Sequence, residues 1–336
     1  MSPSTFRAAV LHEVGQPLVI ERLTLKPLGP HDVLVQLRAS GLCHTDLEVI
    51  QGQLVYPMPI VLGHEGAGLV EAVGAGVTLV RPGDHVVCSW NPSCGHCFYC
   101  DRDQPILCEV FTRTQPRGQL LDGASRLALD GRPVHHFSAV SSHAEYCVVH
   151  ETSAVAVPRE IPFDRACLLG CGVMTGVGAA TRVARVAPGA TAVVVGVGAV
   201  GLNAIQGARL SNADVIIAVD VDDRKLGLAR AFGATHTVSA ARDDAVARVH
   251  ELTAGRGADY VFEAAGKVEG FRLAVEAARP RRDFPWLARA YLDGRLKLDE
   301  LITRRLALAE INDGFAQMAK GDGVRAVILL DAEVRA

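Results

Sequence analysis

Hydrophobic and polar residues follow two different patterns along the chain. From Arg7 to about Val157, short apolar and alternating runs such as DVLVQLRASG and DHVVCSW are broken by Gly and Pro, which predicts an irregular β-rich domain. From about Phe163, helical runs alternate with continuous Val-, Ile- and Ala-rich segments such as ATAVVVGVG and ADVIIAVDV. Segments that are apolar on both faces are typical of parallel strands covered by helices, so this part is predicted to be α/β.

The last segment, from about Asp283, predicts a helix at FPWLARAYLDG, a second helix at AEINDGFAQMAKG and a closing strand at RAVILL. The whole length of 336 residues favours two domains. A net charge of -3 gives no electrostatic reason to expect nucleic acid or an anionic membrane as a partner. Neither a long apolar span nor a signal peptide is visible, so we expect a soluble, cytoplasmic protein.

Four of the nine cysteines lie in one short string, CGHCFYCDRDQPILC. The gaps are two residues, two residues and seven residues, which lets four thiolates converge on one ion, and four thiolates form the closed shell of a structural zinc. Two local disulfides and chance clustering are the alternatives. His96 lies inside this string and is expected to face solvent. The predicted ligands are Cys94, Cys97, Cys100 and Cys108.

A glycine-rich turn follows the apolar strand ATAVVV and precedes a helical run. Gly196, Gly198 and Gly201 form GVGAVG, which in this setting is typical of a turn that binds the pyrophosphate of a dinucleotide. Asp220 ends the next strand, where its carboxylate would bind the adenosine ribose and repel a 2′-phosphate, so NAD is favoured over NADP. Lys225 is a second candidate contact to this ribose. The alternative is a glycine turn without a ligand.

Four further strings accompany the four-Cys string and the glycine turn. They are SGLCHTDLEV, VLGHEGAGLV, GCGVMTG and DELITRRLALAEINDGF. With these six features, the chain resembles the zinc-dependent medium-chain alcohol dehydrogenases over almost its whole length. The resemblance implies a GroES-like, irregular β-rich catalytic domain, residues 1–172 plus 282–336, and a Rossmann, doubly wound cofactor domain, residues 173–281.

The resemblance implies a second, catalytic zinc. Cys43, His64 and Cys171 match its ligands, and Glu65 matches an acid close to the metal that serves as an occasional ligand. A site of two thiolates and one imidazole with an open position suits alcohol chemistry, because the ion acts as a Lewis acid on a hydroxyl group. Asp46 matches the carboxylate that orients the imidazole of His64.

The resemblance also implies a proton relay and an alcohol pocket. Thr45 matches the hydroxyl that takes the alcohol proton. Glu48 occupies the next relay position, where some members have a histidine, and it is either an acceptor for the proton or a solvated surface acid. Trp90 and Phe137 resemble walls of the alcohol pocket, although an aromatic residue is often plain core.

Four more positions match cofactor contacts of the family. His44 and Arg325 match cationic positions that face the pyrophosphate. Thr175 and Val200 match the pair that packs against the nicotinamide ring. The resemblance therefore predicts NAD and two zinc ions per chain as cofactors.

The substrate is predicted to be a small alcohol or aldehyde. Formaldehyde dehydrogenases of this family bind a glutathione adduct through acidic residues before the GHE motif and an Arg after the zinc lobe, which is the segment of the four-Cys string. Here Gln53 and Val55 stand where acids are expected, and Thr112 stands near the Arg position, beside Arg113. We therefore expect a primary or aromatic alcohol to be oxidised reversibly with NAD, with S-(hydroxymethyl)glutathione as the alternative.

One segment of the cofactor domain is missing from the sequence. After the strands ATAVVV, VIIAVD, THTVS and DYVFEA and one helix, the chain passes from Pro280 directly to Arg281, which already matches the return to the catalytic domain. About 40 residues, including the last two strands, are absent by comparison with a complete fold. The homodimer or tetramer expected from the family and the activity itself are both in doubt. A degenerate zinc-binding member without hydride transfer is the alternative of another class.

Overall fold

The computed structural model describes residues 5–279, 289, 291–320 and 325–329. The chain falls into two compact units, Met1–Ala278 and Arg279–Ala336. The predicted domain boundaries near residues 172 and 281 stay predictions. The junction at Pro280 and Arg281 and most of the predicted helix FPWLARAYLDG lie outside the described residues.

The first half of the large unit is β-rich, as its interrupted apolar runs predict. One group of strands closes into a barrel in the order β1-β2-β7-β8-β4, and a second sheet of five strands has the order β10-β6-β5-β3-β9. The strands are β1 (Thr5–Leu11), β2 (Val19–Leu25), β3 (Asp32–Gly41), β4 (Ile60–Val61), β5 (Glu65–Val73), β6 (His85–Cys88), β7 (Leu127–Leu129), β8 (Arg132–His136), β9 (Tyr146–His150) and β10 (Ala154–Ala156).

The helices of this half are short, with four to seven residues each. Three of them contribute a buried side chain to the core, namely Val49, Phe111 and Ala166. The helices are α1 (His44–Ile50), α2 (Glu109–Thr114), α3 (Phe163–Ala166) and α4 (Gly172–Gly178).

The second half of the large unit contains a parallel sheet of four strands in the order β13-β12-β11-β14. Residues of β11 and β12 are buried on both faces, as their unbroken apolar runs predict. The elements are β11 (Thr191–Val195), α5 (Ala199–Leu210), β12 (Val215–Asp220), α6 (Asp223–Phe232), β13 (His236–Ser239), α7 (Ala245–Leu252), β14 (Tyr260–Glu263) and α8 (Val268–Ala277).

The chain begins a further pairing just beyond α8. Ala278 forms an isolated parallel bridge with Ala258, and the Ala258 N–H donates to the Ala277 carbonyl at 2.8 Å. The four strands that the sequence predicts are therefore present, and within the described residues of the large unit no fifth parallel strand extends this sheet.

The described residues of the small unit include two parallel strands and a helix that follows the first of them. They are β15 (Ile302–Ala307), α9 (Ile311–Ala319) and β16 (Arg325–Leu329), so the second predicted helix and the closing strand are confirmed.

Among the described residues, no single helix is long and apolar enough to cross a bilayer. The segments Phe163–Gly170 and Gly172–Val183 reach that length and hydropathy only when they are counted together across a 54° bend.

Candidate functional site

Four side chains with metal-binding atoms meet at one end of the β-rich half. Their ligand atoms all lie within 4.8 Å of one another. Two come from helix N-termini and two from the start of β5, so three separate parts of the chain converge on this point. The four residues are Cys43, His64, Glu65 and Cys171.

The pairing of two strands brings the first three of these residues together. In the antiparallel β3–β5 ladder, Gly41 lies opposite Glu65. Cys43 follows two residues after Gly41 and caps α1. Gly41 leaves room for the Glu65 side chain, whose Cβ lies 3.0 Å from the place that a Cβ at residue 41 would take.

Cys171 reaches the cluster from α4, which lies between the β-rich half and the cofactor sheet. The backbone N–H of Gly172 donates to Glu65 Oε1 at 3.1 Å. A Cβ at Gly172 would lie 3.9 Å from the Cβ of Ala199, the first residue of α5 after the glycine turn. The metal-type cluster and the glycine turn are therefore neighbours in the fold.

The electrostatics of the cluster suit a dication. Hydrogen bonds from Cys171 and His64 lower the pKa of Cys43 to about 3. Burial lowers the pKa of His64, but hydrogen bonds to Asp46 and Cys43 outweigh it and raise the pKa to about 9. Two sulfur ligands, one imidazole and a nearby carboxylate are the donor set of a catalytic zinc, so these residues fit that ion.

Asp46 is buried beneath the cluster and receives several hydrogen bonds. Its Oδ1 accepts from the Gly63 N–H at 2.9 Å and lies 3.3 Å from His64 Nδ1, while its Oδ2 accepts from the Cys43 N–H at 3.1 Å. This contact through Nδ1 leaves Nε2 of His64 for a metal. The geometry is the one that the predicted orienting role of Asp46 requires.

The three remaining predicted residues of α1 differ in exposure and in their distance from the cluster. Thr45 Oγ1 is 3.6 Å from Cys43 Sγ, so this hydroxyl lies beside the cluster. Glu48, three residues further along α1, is half-buried, and His44 is exposed at the first helical position. The relay through Glu48 and the pyrophosphate contact of His44 stay predictions.

A second cluster forms in the loop between β6 and β7. The four Sγ atoms lie within 4.8 Å of one another, and the Cys94 N–H donates to Cys108 Sγ at 3.3 Å. Hydrogen bonds, first from the Cys100 backbone N–H, lower the pKa of Cys97 to about 6. His96 is exposed and is not part of the cluster, as expected. The donor set fits a structural zinc.

A cavity of about 420 Å³ opens at the carboxyl ends of the parallel strands. It contains Gly196, Gly198, Asp220 and Lys225 from the predicted dinucleotide site, and Gly201 packs close to the Gly196 carbonyl in the first turn of α5. This is the place where a doubly wound sheet binds a dinucleotide.

Asp220 has a structural task in addition to its predicted one. It is buried, and its two carboxylate oxygens accept the Val197 N–H at 2.7 Å and the Asp222 N–H at 2.9 Å. Asp222 pairs with Arg224 and Asp223 with Arg242, whereas the described ion pairs give Asp220 no arginine partner.

The sequence analysis missed several residues of this cavity. Lys267 and Glu269 lie at the start of α8, where no motif marks them, and Ala240 and Leu273 complete the wall. The only signal in the sequence is their position after the fourth parallel strand, whose carboxyl end lies at the same edge of the sheet.

The predicted nicotinamide pair lies on two packed helices. A Cβ at Gly176 would overlap the Val200 carbonyl, so α4 and α5 touch beside Thr175. Thr175 is exposed and Val200 is half-buried. Arg325 is the first residue of β16 in the small unit, and its contact with the cofactor stays a prediction.

The two predicted pocket aromatics have different surroundings. Phe137 is fully buried and packs edge-to-face on the His64 ring, with centroids 5.4 Å apart. Tyr56, which the sequence analysis missed, also packs edge-to-face on Phe137, with centroids 5.1 Å apart. Trp90 is half-buried against the core of the five-stranded sheet.

Comparison with known proteins agrees with both halves of the site. Residues 29–159 match the profile of the alcohol dehydrogenase GroES-like domain, and residues 199–314 match that of a zinc-binding dehydrogenase. The S-(hydroxymethyl)glutathione dehydrogenase of Paracoccus denitrificans is 37% identical over 371 aligned positions, which cover 96% of this chain and 99% of the relative. Because the alignment is longer than this chain of 336 residues, the relative has positions that this chain lacks.

Two crystal structures are similar over nearly their whole length. The alcohol dehydrogenase zinc-binding domain protein from Burkholderia ambifaria has a TM-score of 0.78 and 33% identity, covering 97% of this chain and 99% of that one. Benzyl alcohol dehydrogenase from Acinetobacter calcoaceticus has a TM-score of 0.77 and 31% identity, covering 98% and 100%. With its GroES-like and Rossmann-type parts and its two zinc-type clusters, the chain belongs to the zinc-dependent medium-chain alcohol dehydrogenase family.

Proposed function

We propose that the protein oxidises an alcohol to an aldehyde, reversibly, with transfer of hydride to NAD. One observation carries this proposal: α4 links the Cys43–His64–Cys171 cluster to the start of α5 behind the glycine turn. A substrate hydroxyl at the cluster and the nicotinamide end of a dinucleotide whose pyrophosphate lies at this turn would therefore be neighbours.

The metal-type ligands and two neighbouring residues have different parts in this proposal. Zinc, when bound by Cys43, His64 and Cys171, supplies Lewis-acid polarisation of the hydroxyl group. Asp46 holds His64 through Nδ1, so that its Nε2 stays directed to the ligand cluster. Thr45, which lies beside Cys43, accepts the hydroxyl proton in this proposal.

S-(hydroxymethyl)glutathione is the substrate that the curated relatives favour. Proteins named for this activity in Paracoccus denitrificans and Aspergillus oryzae are 37% and 38% identical to the chain. Arg113 and Arg117 are cationic residues just after the zinc lobe, where a carboxylate of the adduct would find a charged partner.

A neutral primary or aromatic alcohol is the second candidate, and three residues favour it. Val55 is 80% exposed in the loop where an acid would pair with the ammonium group of the adduct. The Thr112 hydroxyl donates to the Cys108 carbonyl at 3.0 Å and is already engaged within its own helix. Phe137 adds an apolar surface beside His64.

The test is NADH formation by the zinc-loaded protein with the glutathione adduct, benzyl alcohol, ethanol and a longer alkanol. Cys43→Ser is the matched control, because it removes one thiolate and leaves the structural cluster intact. Much faster turnover of the adduct selects the first candidate, and faster turnover of benzyl alcohol selects the second. A folded, zinc-loaded wild type without NADH formation would overturn the proposal and leave the degenerate binding protein.

The same assay tests the cofactor. Asp220 at the ribose end of the cavity predicts a KM for NADP at least tenfold above that for NAD. Asp220→Asn should lower the ratio of the KM for NADP to the KM for NAD, since the repulsion of a 2′-phosphate is lost. An unchanged ratio would contradict the role of Asp220.

A further inference from the structure

A second imidazole lies on the far side of Asp46 and does not belong to the ligand cluster. His143 Nε2 is 3.8 Å from Asp46 Oδ2, while His64 Nδ1 is 3.3 Å from Oδ1. The His143 side chain is only 9% exposed. The Asp46 carboxylate is therefore placed between two imidazoles, of which one is a metal-type ligand and the other is not.

Two serine hydroxyls form a hydrogen-bonded chain that ends at the other ring nitrogen of His143. Ser40 Oγ lies 3.0 Å from His143 Nδ1 and 2.8 Å from Ser142 Oγ. When the Ser142 hydroxyl donates to Ser40 and the Ser40 hydroxyl donates to Nδ1, the proton of the neutral ring is on Nε2 and points to Asp46. Burial lowers the pKa of His143, in spite of the nearby Asp46 carboxylate, so the ring is neutral near pH 7.

The backbone fixes His143 relative to the ligand-bearing segment. The His143 N–H donates to the Leu62 carbonyl and the Ser142 N–H donates to the Gly63 carbonyl, both at 2.9 Å. The Ser141 hydroxyl donates to the Val61 carbonyl at 2.8 Å. Three consecutive carbonyls before His64 are thus held by the segment that ends in His143.

This arrangement is built at a conformational cost. Ser138, Ala139 and Ser141 all have positive φ angles, of 49°, 54° and 61°, in a turn that is almost completely buried. Non-glycine residues in this region are strained and persist only where surrounding contacts determine them. Here the contacts are the hydrogen bonds to the segment that carries His64.

We propose that His143 is a positioning residue of the catalytic metal site, which holds the Asp46 carboxylate so that its other oxygen orients His64. His143 Nε2 and the Cys43 N–H both face Oδ2: the Cys43 N–H donates to this oxygen at 3.1 Å, and a proton on Nε2 attracts it electrostatically from 3.8 Å. Both interactions oppose rotation of the carboxylate away from His64. Such outer contacts to a metal-ligating histidine affect metal affinity about 10- to 100-fold when they are removed. The inference rests on the catalytic metal site of the proposed function.

The test compares His143→Phe and His143→Gln in the full-length, cobalt-substituted protein. Phenylalanine keeps a ring in the cavity but removes both nitrogens, whereas the glutamine amide restores an N–H donor near the Nε2 position. His85→Phe is the matched control, since His85 is a half-buried imidazole stacked on Phe163 at 4.6 Å. The readouts are the visible cobalt spectrum, the rate of metal release to a chelator and kcat against KM.

We expect His143→Phe to shift the cobalt bands and to speed release of the catalytic ion about tenfold. His143→Gln should recover most of this change, and His85→Phe should leave spectrum and release rate as in the wild type. If His143→Phe changes neither the spectrum nor the release rate, the inference is overturned while the proposed function stands. A wild-type protein that has a normal cobalt spectrum but transfers no hydride would contradict the proposed function and leave the inference about His143 unaffected.

Discussion

Gly63 illustrates how one residue without a side chain determines the geometry of the site. Its φ is +90°, and a Cβ there would lie 2.5 Å from His143 Nδ1 and 2.6 Å from the His143 backbone nitrogen. Its N–H donates to Asp46 and its carbonyl accepts from Ser142. The glycine before the ligand His64 is therefore required by conformation, by space and by hydrogen bonding together.

Gly63→Ala should lower the free energy of unfolding by about 2 kcal/mol or more, because the strain of a positive φ adds to a steric overlap. It should also reduce the metal content from two ions per chain towards one. Urea unfolding and metal analysis measure the two effects. Gly131→Ala is the matched control: its φ is +79° and no atom lies within 4 Å of the added methyl group, so strain alone should act there. If both substitutions lowered the free energy of unfolding equally, steric overlap at residue 63 would not contribute to the loss.

At the level of elements, the four-Cys loop differs from the rest of the β-rich half. Between β6 and α2 it has only the short 3-10 turns Cys100–Arg102 and Pro105–Leu107. Its half-buried thiols pack against the core around Cys108 and Phe111. With so little regular structure, the conformation of this loop depends on the ion that the thiolates bind.

Cys97→Ser should therefore open the loop and lower the thermal midpoint by several degrees, since a structural zinc contributes directly to folding free energy. Limited proteolysis should then cut between residues 91 and 117 before any other segment. His96→Ala, a change to an exposed neighbour in the same loop, should leave the midpoint and the cleavage pattern unchanged. If the Cys97→Ser protein had the thermal midpoint of the wild type, the loop would keep its conformation without a bound ion, and the prediction would be wrong.

The elements also show what the sequence could and could not predict. The parallel strands β11 and β12 follow from local, unbroken apolar runs, and the four-Cys cluster follows from the ligand spacing within one short string. The ligands Cys43, His64 and Cys171 lie far apart in the chain, and only the resemblance to the family predicts that they meet. The contact of His143 with Asp46 joins residues far apart in the chain, and no periodicity encodes it. The positive φ angles of Ser138 and Ala139 are equally hidden, because glycine is the residue that normally signals this conformation.

For the whole molecule, one buried histidine couples folding to pH. His136 is fully buried in β8, and its Nε2 accepts the Arg126 N–H at 3.2 Å. Burial, helped by the Arg126 charge, lowers its pKa from 6.5 to about 3. The unfolded chain takes up this proton below about pH 6.5 and the folded chain does not, so stability is full above that pH and falls as the pH decreases.

The contribution of His136 to this loss is about 2 kcal/mol at pH 5, from the difference between that pH and the unfolded pKa. His136→Gln keeps an acceptor for the Arg126 N–H and has no proton to take up. Its unfolding free energy should therefore fall less between pH 7 and pH 5 than that of the wild type, as measured by urea denaturation. Parallel pH profiles for the two proteins would exclude the role of His136.

The bridge between Ala258 and Ala278 has a consequence for protein engineering. It aligns the chain parallel to the start of β14 at the residue where the large unit ends. A strand-and-helix segment from a longer relative, inserted after Ala278, would begin next to this pairing and lie parallel to β14. Stepwise insertion of such segments would measure how each added strand changes hydride transfer.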